Sequence, residues 1–135
     1  MSTVKSLPPR SAVAVADQWD LSSLFKSDAE WEKAFGEWEA RFDGFARFKG
    51  KLGESAELLL EMLEYDAHVD RLGDRLGCYA GLKTTEDQGN SEYQRMRGRF
   101  AASATKLAEV TSFVRPELMA VPVERMNQLL ASEKL

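Results

Sequence analysis

The stretch Ser55–Glu86, SAELLLEMLEYDAHVDRLGDRLGCYAGLKTTE, decides the fold. Met62, Tyr65, Val69, Leu72, Leu76 and Tyr79 recur at alternating spacings of three and four, which marks one face of an α-helix. Leu58, Leu59 and Leu63 widen the seam at its start. About 30 residues of helix make a rod of ~45 Å. Average globular helices hold only about 11–12 residues, so a rod this long needs a partner along most of its length.

That partner follows directly in the chain. Gly89 suits a helix C-terminus, and Ser91-Glu92-Tyr93-Gln94 reads as a capping box that opens the next helix. Its seam is Tyr93, Met96, Phe100, Ser103, Leu107, Val110 and Val114. The two helices form a hairpin around residues 84–91. Pro116 withholds an N–H and clashes with the preceding turn, which places a break near Arg115. Pro122 fits the first turn of a further helix carrying Met126, Leu129 and Leu130. Gly73, Gly77 and Gly81 stand four apart on one face, each costing up to about 1 kcal/mol relative to Ala. Close backbone approach within the hairpin offsets that cost, with Gly77 facing Gly98 and Gly73 facing Ala101 and Ala102. The same spacing occurs in membrane dimers, but these helices carry too many charges for a bilayer.

Upstream, Ser27-Asp28-Ala29-Glu30 is another capping box. Trp31, Phe35, Trp38, Phe42 and Phe45 then recur at helical spacing, and an aromatic stripe of this kind is core before it is a ligand platform. Gly44 and Gly50 weaken the end of this helix, and Gly53 closes the connection. Before it, Pro8 and Pro9 keep the backbone extended, and Ser11 to Val15 suits a short strand or extended segment. Trp19, Leu21, Leu24 and Phe25 supply anchors that dock this leader. The expected fold is all-α. It is a long antiparallel helical hairpin plus flanking helices, a helical bundle, with an extended N-terminal arm over 1–26 and a helical domain over 27–135.

Composition narrows the function. A chain of 135 residues fits one domain at about 100–200 residues each. Four Pro and nine Gly are too few for a disordered or collagen-like chain. No apolar run approaches the ~20 residues that span a bilayer. The first residues, MSTVKSLPPRS, lack the apolar core of a signal peptide. One cysteine, Cys78, forbids an internal disulfide and fits a reducing, cytoplasmic setting. Eighteen basic against 22 acidic residues, a net charge of −4, disfavour nucleic acid as a partner.

Candidate chemistry is sparse. His68 is the one histidine, whereas an HExxH zinc motif needs two, four apart, so that both rings face one metal. No GxSxG elbow accompanies it. Its place one turn beyond Glu64 makes an exposed pair. Cys78 has no second cysteine and reads as a small buried residue. Asp66, Asp70 and Asp74 share a stripe with Arg71 and Arg75 interleaved, a solvated salt-bridge face. Arg95, Arg97 and Arg99 form a local basic run in which Glu92 pairs with Arg95. No Gly-rich phosphate loop is present. No catalytic, cofactor-binding or metal-ligating residue is assigned.

The ordered motifs carry a resemblance. Leu7-Pro8-Pro9-Arg10, Trp19-Asp20-Leu21-Ser22-Ser23-Leu24-Phe25, Trp31 and Phe48-Lys49-Gly50-Lys51-Leu52 resemble the N-terminal region of oligoendopeptidase F. So do the stretch from Leu72-Gly73 to Tyr79-Ala80, then Asn90-Ser91 followed by Tyr93-Gln94, Phe113, Pro116-Glu117-Leu118 and Pro122. The resemblance implies the N-terminal helical part of a zinc metallopeptidase related to the thimet-type oligopeptidases. Such enzymes form a mostly helical shell around a channel and cleave short peptides. Their HExxH motif and further Glu have no counterpart here, so no zinc is expected in this chain. The uncapped apolar helix up to Leu135 suggests a fragment whose orphaned surfaces self-associate. A free-standing helical interaction module is the alternative.

Overall fold

The computed structural model describes residues 8–132. Leu7, the residues before it and Leu135 lie outside them. Five α-helices follow one another: α1 (Asp28–Glu39), α2 (Ala56–Glu86), α3 (Ser91–Thr111), α4 (Val114–Ala120) and α5 (Val123–Leu130). The chain is all-helical, with no strand among the described residues.

Local sequence sets the helix starts. The Ser27 hydroxyl accepts from Glu30 N at 3.2 Å and the Ser55 hydroxyl from Leu58 N at 3.1 Å, each satisfying an otherwise orphaned first-turn donor. Glu30 reaches back one residue further than a capping box requires, accepting from Lys26 N at 2.6 Å. The cap of α3 differs from expectation. Asn90 is the N-cap, its side chain accepting from Glu92 N and Tyr93 N, and Ser91 is already helical. Gln94 donates instead to Gln88 O at 2.9 Å.

Two tryptophans fix α1 against α2. The indole of Trp31 donates to Leu76 O at 3.0 Å and that of Trp38 to Val69 O at 3.0 Å. Trp31, Phe35, Trp38, Phe42 and Phe45 are all buried. The stripe outlasts the α-helix: α1 ends at Glu39, and Phe42 and Phe45 are delivered by a 3-10 segment, Phe42–Arg47. Val69, Leu76, Tyr79, Ala80 and Met96 complete this core. A second cluster of Phe48, Leu52, Ala56, Leu59, Met62 and Leu129 fills the other end, with Tyr65 packed against both. Leu63 and Leu130 stay largely exposed.

The glycines of α2 do not admit a neighbouring backbone. A methyl group on Gly77 would lie 2.7 Å from Phe100 Cζ, and one on Gly73 would lie 3.1 Å from the Trp38 indole. Gly81 and Gly98 have open space around them, and Ala101 and Ala102 are exposed. The expected pairings of Gly77 with Gly98 and of Gly73 with Ala101 and Ala102 therefore do not form. The glycines instead clear room for two aromatic rings, and those rings stack on each other with centroids 5.3 Å apart. Ser103, the polar residue of the α3 seam, is buried and donates to the Glu39 carboxylate.

The break after α3 falls at residues 112–113 rather than near Arg115. Pro116 sits in the first turn of α4, where a missing N–H costs nothing. Pro122 is the N-cap of α5 rather than a helical residue. The leader holds two 3-10 turns, Arg10–Ala12 and Val15–Asp17, in place of the expected short strand. Its anchors are Phe25, which is buried, and Leu21 and Leu24, which are partly so. Trp19 is 55% exposed and does not anchor it.

Gly77→Leu is expected to lower unfolding free energy by about 3 kcal/mol through overpacking. Gly81→Ala and Gly98→Ala should each raise it by up to ~1 kcal/mol through helix propensity. Urea denaturation distinguishes this from backbone contact, in which Gly98→Ala would destabilise.

Candidate functional site

The polar features fall into three places. At the far end of α2, Tyr79 Oη donates to Asp28 Oδ1 at 2.7 Å, and Lys83 Nζ lies 3.3 Å from the same oxygen. Lys83 also sits 4.4 Å from the Tyr93 ring centroid. Burial, then the Asp28 hydrogen bond and charge, push the Tyr79 phenol far above its ordinary value, so it remains a donor. Burial pulls Lys83 down, but Tyr93 and Asp28 outweigh it and hold its ammonium above the usual lysine value. Beside this hub Arg10 pairs with Glu86, tying the leader to α2. An open groove of about 380 Å³ lies there, lined by Arg10, Asp17, Trp19, Thr85 and Glu86.

The second place is a loop clamp. Glu117 of α4 accepts from Gly50 N and Leu52 N, both at 2.8 Å, one through each carboxylate oxygen. Gly50 has φ +82°, a conformation that favours glycine. Arg125 of α5 donates to Gly53 O at 3.0 Å and also to Glu54 O. Both short helices thereby grip the loop that leads into α2.

The third is a furrow of about 370 Å³ between α1 and α2, lined by Glu37, Arg41, His68, Arg71, Leu72 and Arg75. Arg75 donates to Leu24 O at 2.6 Å and lies over the Phe25 ring. The Arg41 Nε is buried without a hydrogen-bond partner.

The residues singled out from sequence distribute as follows. His68 is exposed, and no ion pair joins it to Glu64 among the described residues. Cys78 is exposed rather than buried, because it lies between the buried positions Leu76 and Tyr79 but on the outward side of α2. Asp66, Asp70 and Asp74 form no ion pair with Arg71 or Arg75 among the described residues, so the expected salt-bridge face is absent. Desolvation and then Asp70 raise the Asp66 carboxyl above its ordinary value. Arg95 does pair with Glu92. Arg99 is committed to Glu32 at 2.7 Å and to the Phe35 ring at 4.7 Å. Among the described residues no group of three His, Cys, Asp or Glu is placed to hold a metal ion, so a zinc site does not fit them. Among the described residues no helix is long and apolar enough to cross a membrane.

No protein-family model matches the chain. Individual proteins do. Oligopeptidase PepF of Bacillus subtilis is 34% identical over 129 residues, covering 95% of this chain and 19% of that protein. Group B oligopeptidase PepB of Streptococcus agalactiae is 32% identical over 110 residues, 82% of this chain and 18% of that one. The crystal structure of oligoendopeptidase-F from Enterococcus faecium superposes with a TM-score of 0.70 at 27% identity, over 77% of this chain and 21% of that one. The chain is homologous to a part of oligoendopeptidase F. It spans about a fifth of the length of the curated relatives it matches.

Several of the motifs that carry the resemblance to oligoendopeptidase F do structural work. Phe48 to Leu52 and Pro116-Glu117-Leu118 are the two sides of the carboxylate clamp. Leu76 O accepts an indole N–H, Gly73 admits the Trp38 ring, and Ala80 is buried in the same core. Asp20 accepts from Ser22 N at 2.9 Å and shapes the turn before Phe25. The partners of Glu117 and the place of Arg41 in the furrow have no local sequence signal, because both depend on residues distant in the chain.

Glu117→Ala is expected to destabilise the chain by about 2 kcal/mol, because two N–H groups lose a charged acceptor, while Arg97→Ala stays neutral. Chemical denaturation reads both. Asp66 has a raised folded pKa, so its ionised form opposes folding above that pKa, and the penalty vanishes as pH falls below the unfolded value. Asp66→Asn should therefore raise Tm at neutral pH and lose that advantage in acid.

Proposed function

We propose that this chain is the non-catalytic N-terminal helical portion of a zinc-dependent oligoendopeptidase that hydrolyses short peptides. In this reading residues 8–26 form a docked arm and the helices after Ser27 form part of the shell around the substrate channel. The homology to oligopeptidase PepF carries the proposal. In this reading zinc and the water it would activate belong to other residues of the parent enzyme, not to this chain. This chain's residues supply rigidity and a wall. Its physiological ligands are short peptides and the remaining catalytic portion of the same polypeptide, and its setting is the cytoplasm.

The test compares the 135-residue chain with the product of its complete gene. The complete product should carry one zinc per chain by elemental analysis and cleave short peptides. The 135-residue chain should do neither. Tight stoichiometric zinc in the short chain, or a complete gene encoding no HExxH, would contradict the assignment.

A further inference from the structure

The furrow between α1 and α2 holds more positive charge than its own carboxylate balances. Arg41, Arg71 and Arg75 line it against Glu37 alone, and Glu37 also faces Lys33 at 3.9 Å. Glu64, Asp70 and Asp74 of α2 do not line it. Arg75 is already engaged by Leu24 O and the Phe25 ring. No carboxylate reaches Arg71 within ion-pair distance among the described residues. The Arg41 Nε is buried and unpartnered, which is unusual for a guanidinium donor in a folded protein.

We propose that this furrow is a binding site for a peptide carboxylate, held by Arg41 and Arg71. A planar guanidinium matches a carboxylate through two parallel hydrogen bonds. Leu72, which also lines the furrow, offers apolar surface for the methylene carbons of an acidic side chain. Glu37 disfavours a dianion, so one negative charge suits the site better than a phosphate. A volume of about 370 Å³ admits a side chain or a chain end, not a folded domain. The identity of the ligand as a peptide rests on the peptidase assignment above. The charge and the unmet donor do not.

The test is an amide NMR titration of the 135-residue chain. The probes are a blocked tripeptide with a central glutamate, its blocked glutamine counterpart, the glutamine peptide with a free C-terminus, and inorganic phosphate. The glutamate peptide should give saturable shifts at His68, Arg71 and Leu72. Arg71→Gln should weaken it at least tenfold with an unchanged melting temperature, and Arg97→Gln should not. The free-acid peptide tells a terminal carboxylate from a side-chain one, and binding of either supports the site. No saturable shift from either carboxylate peptide, equal binding of the blocked glutamine peptide, or tighter binding of phosphate would overturn it. The readout involves no catalysis, so a silent furrow leaves the peptidase assignment standing, and a parent gene without a zinc motif leaves the furrow measurement standing.

Discussion

The structure depends on two indole N–H groups reaching the backbone of a neighbouring helix. Trp31 and Trp38 lie seven residues apart on α1, and their acceptors, Leu76 O and Val69 O, lie seven apart in the reverse direction on α2. Seven residues are close to two helical turns, so both bonds form on one face and lock the helices antiparallel in one register. A carbonyl inside a helix is ordinarily shielded by the side chain four residues on. Those positions are Gly73 and Ala80, both buried, and their small size lets the rings in. Buried indoles need a partner, and here the helix itself provides it.

The remaining order builds on that contact. Phe100 of α3 stacks on Trp38 and fills the space over Gly77, so the same ring that registers α1 registers α3. Tyr65 extends the arrangement, donating to Arg41 O at 2.7 Å across Gly44, where any side chain would collide with its hydroxyl. At the other end Glu117 and Arg125 hold the loop entering α2. Arg10 and Arg75 hold the leader. Glu117, Arg10 and Gly73, which stand in the motifs that resemble oligoendopeptidase F, are thus engaged in joining elements.

Local patterns were legible in the sequence. The cap at Ser27, the aromatic stripe and the hairpin seams follow from neighbours within a few residues, and the structure has them, whereas the cap read at Ser91 falls one residue earlier, on Asn90. What was not legible depends on a partner distant in sequence. The glycine row announced a close approach but not that rings, rather than backbone, would occupy it. Cys78 was misplaced because a three-and-four seam leaves the position between two buried residues undetermined. Pro116 marked a break, but only the packing of Phe113, Val114 and Leu118 around the second cluster fixed where the next helix begins. For the furrow, the sequence places Arg71 and Arg75 beside the aspartates of their own helix, and Arg41 joins them through the fold alone.

The central claim, that Gly73 exists to admit the Trp38 indole to a helix carbonyl, is tested most directly by a double-mutant cycle of Gly73→Ala and Trp38→Phe measured by urea unfolding. The account predicts that Gly73→Ala destabilises the native chain but stabilises the Trp38→Phe variant by up to ~1 kcal/mol, the ordinary helix preference for alanine. Additive effects within about 0.5 kcal/mol would mean that the two sites do not share a contact, and would contradict it.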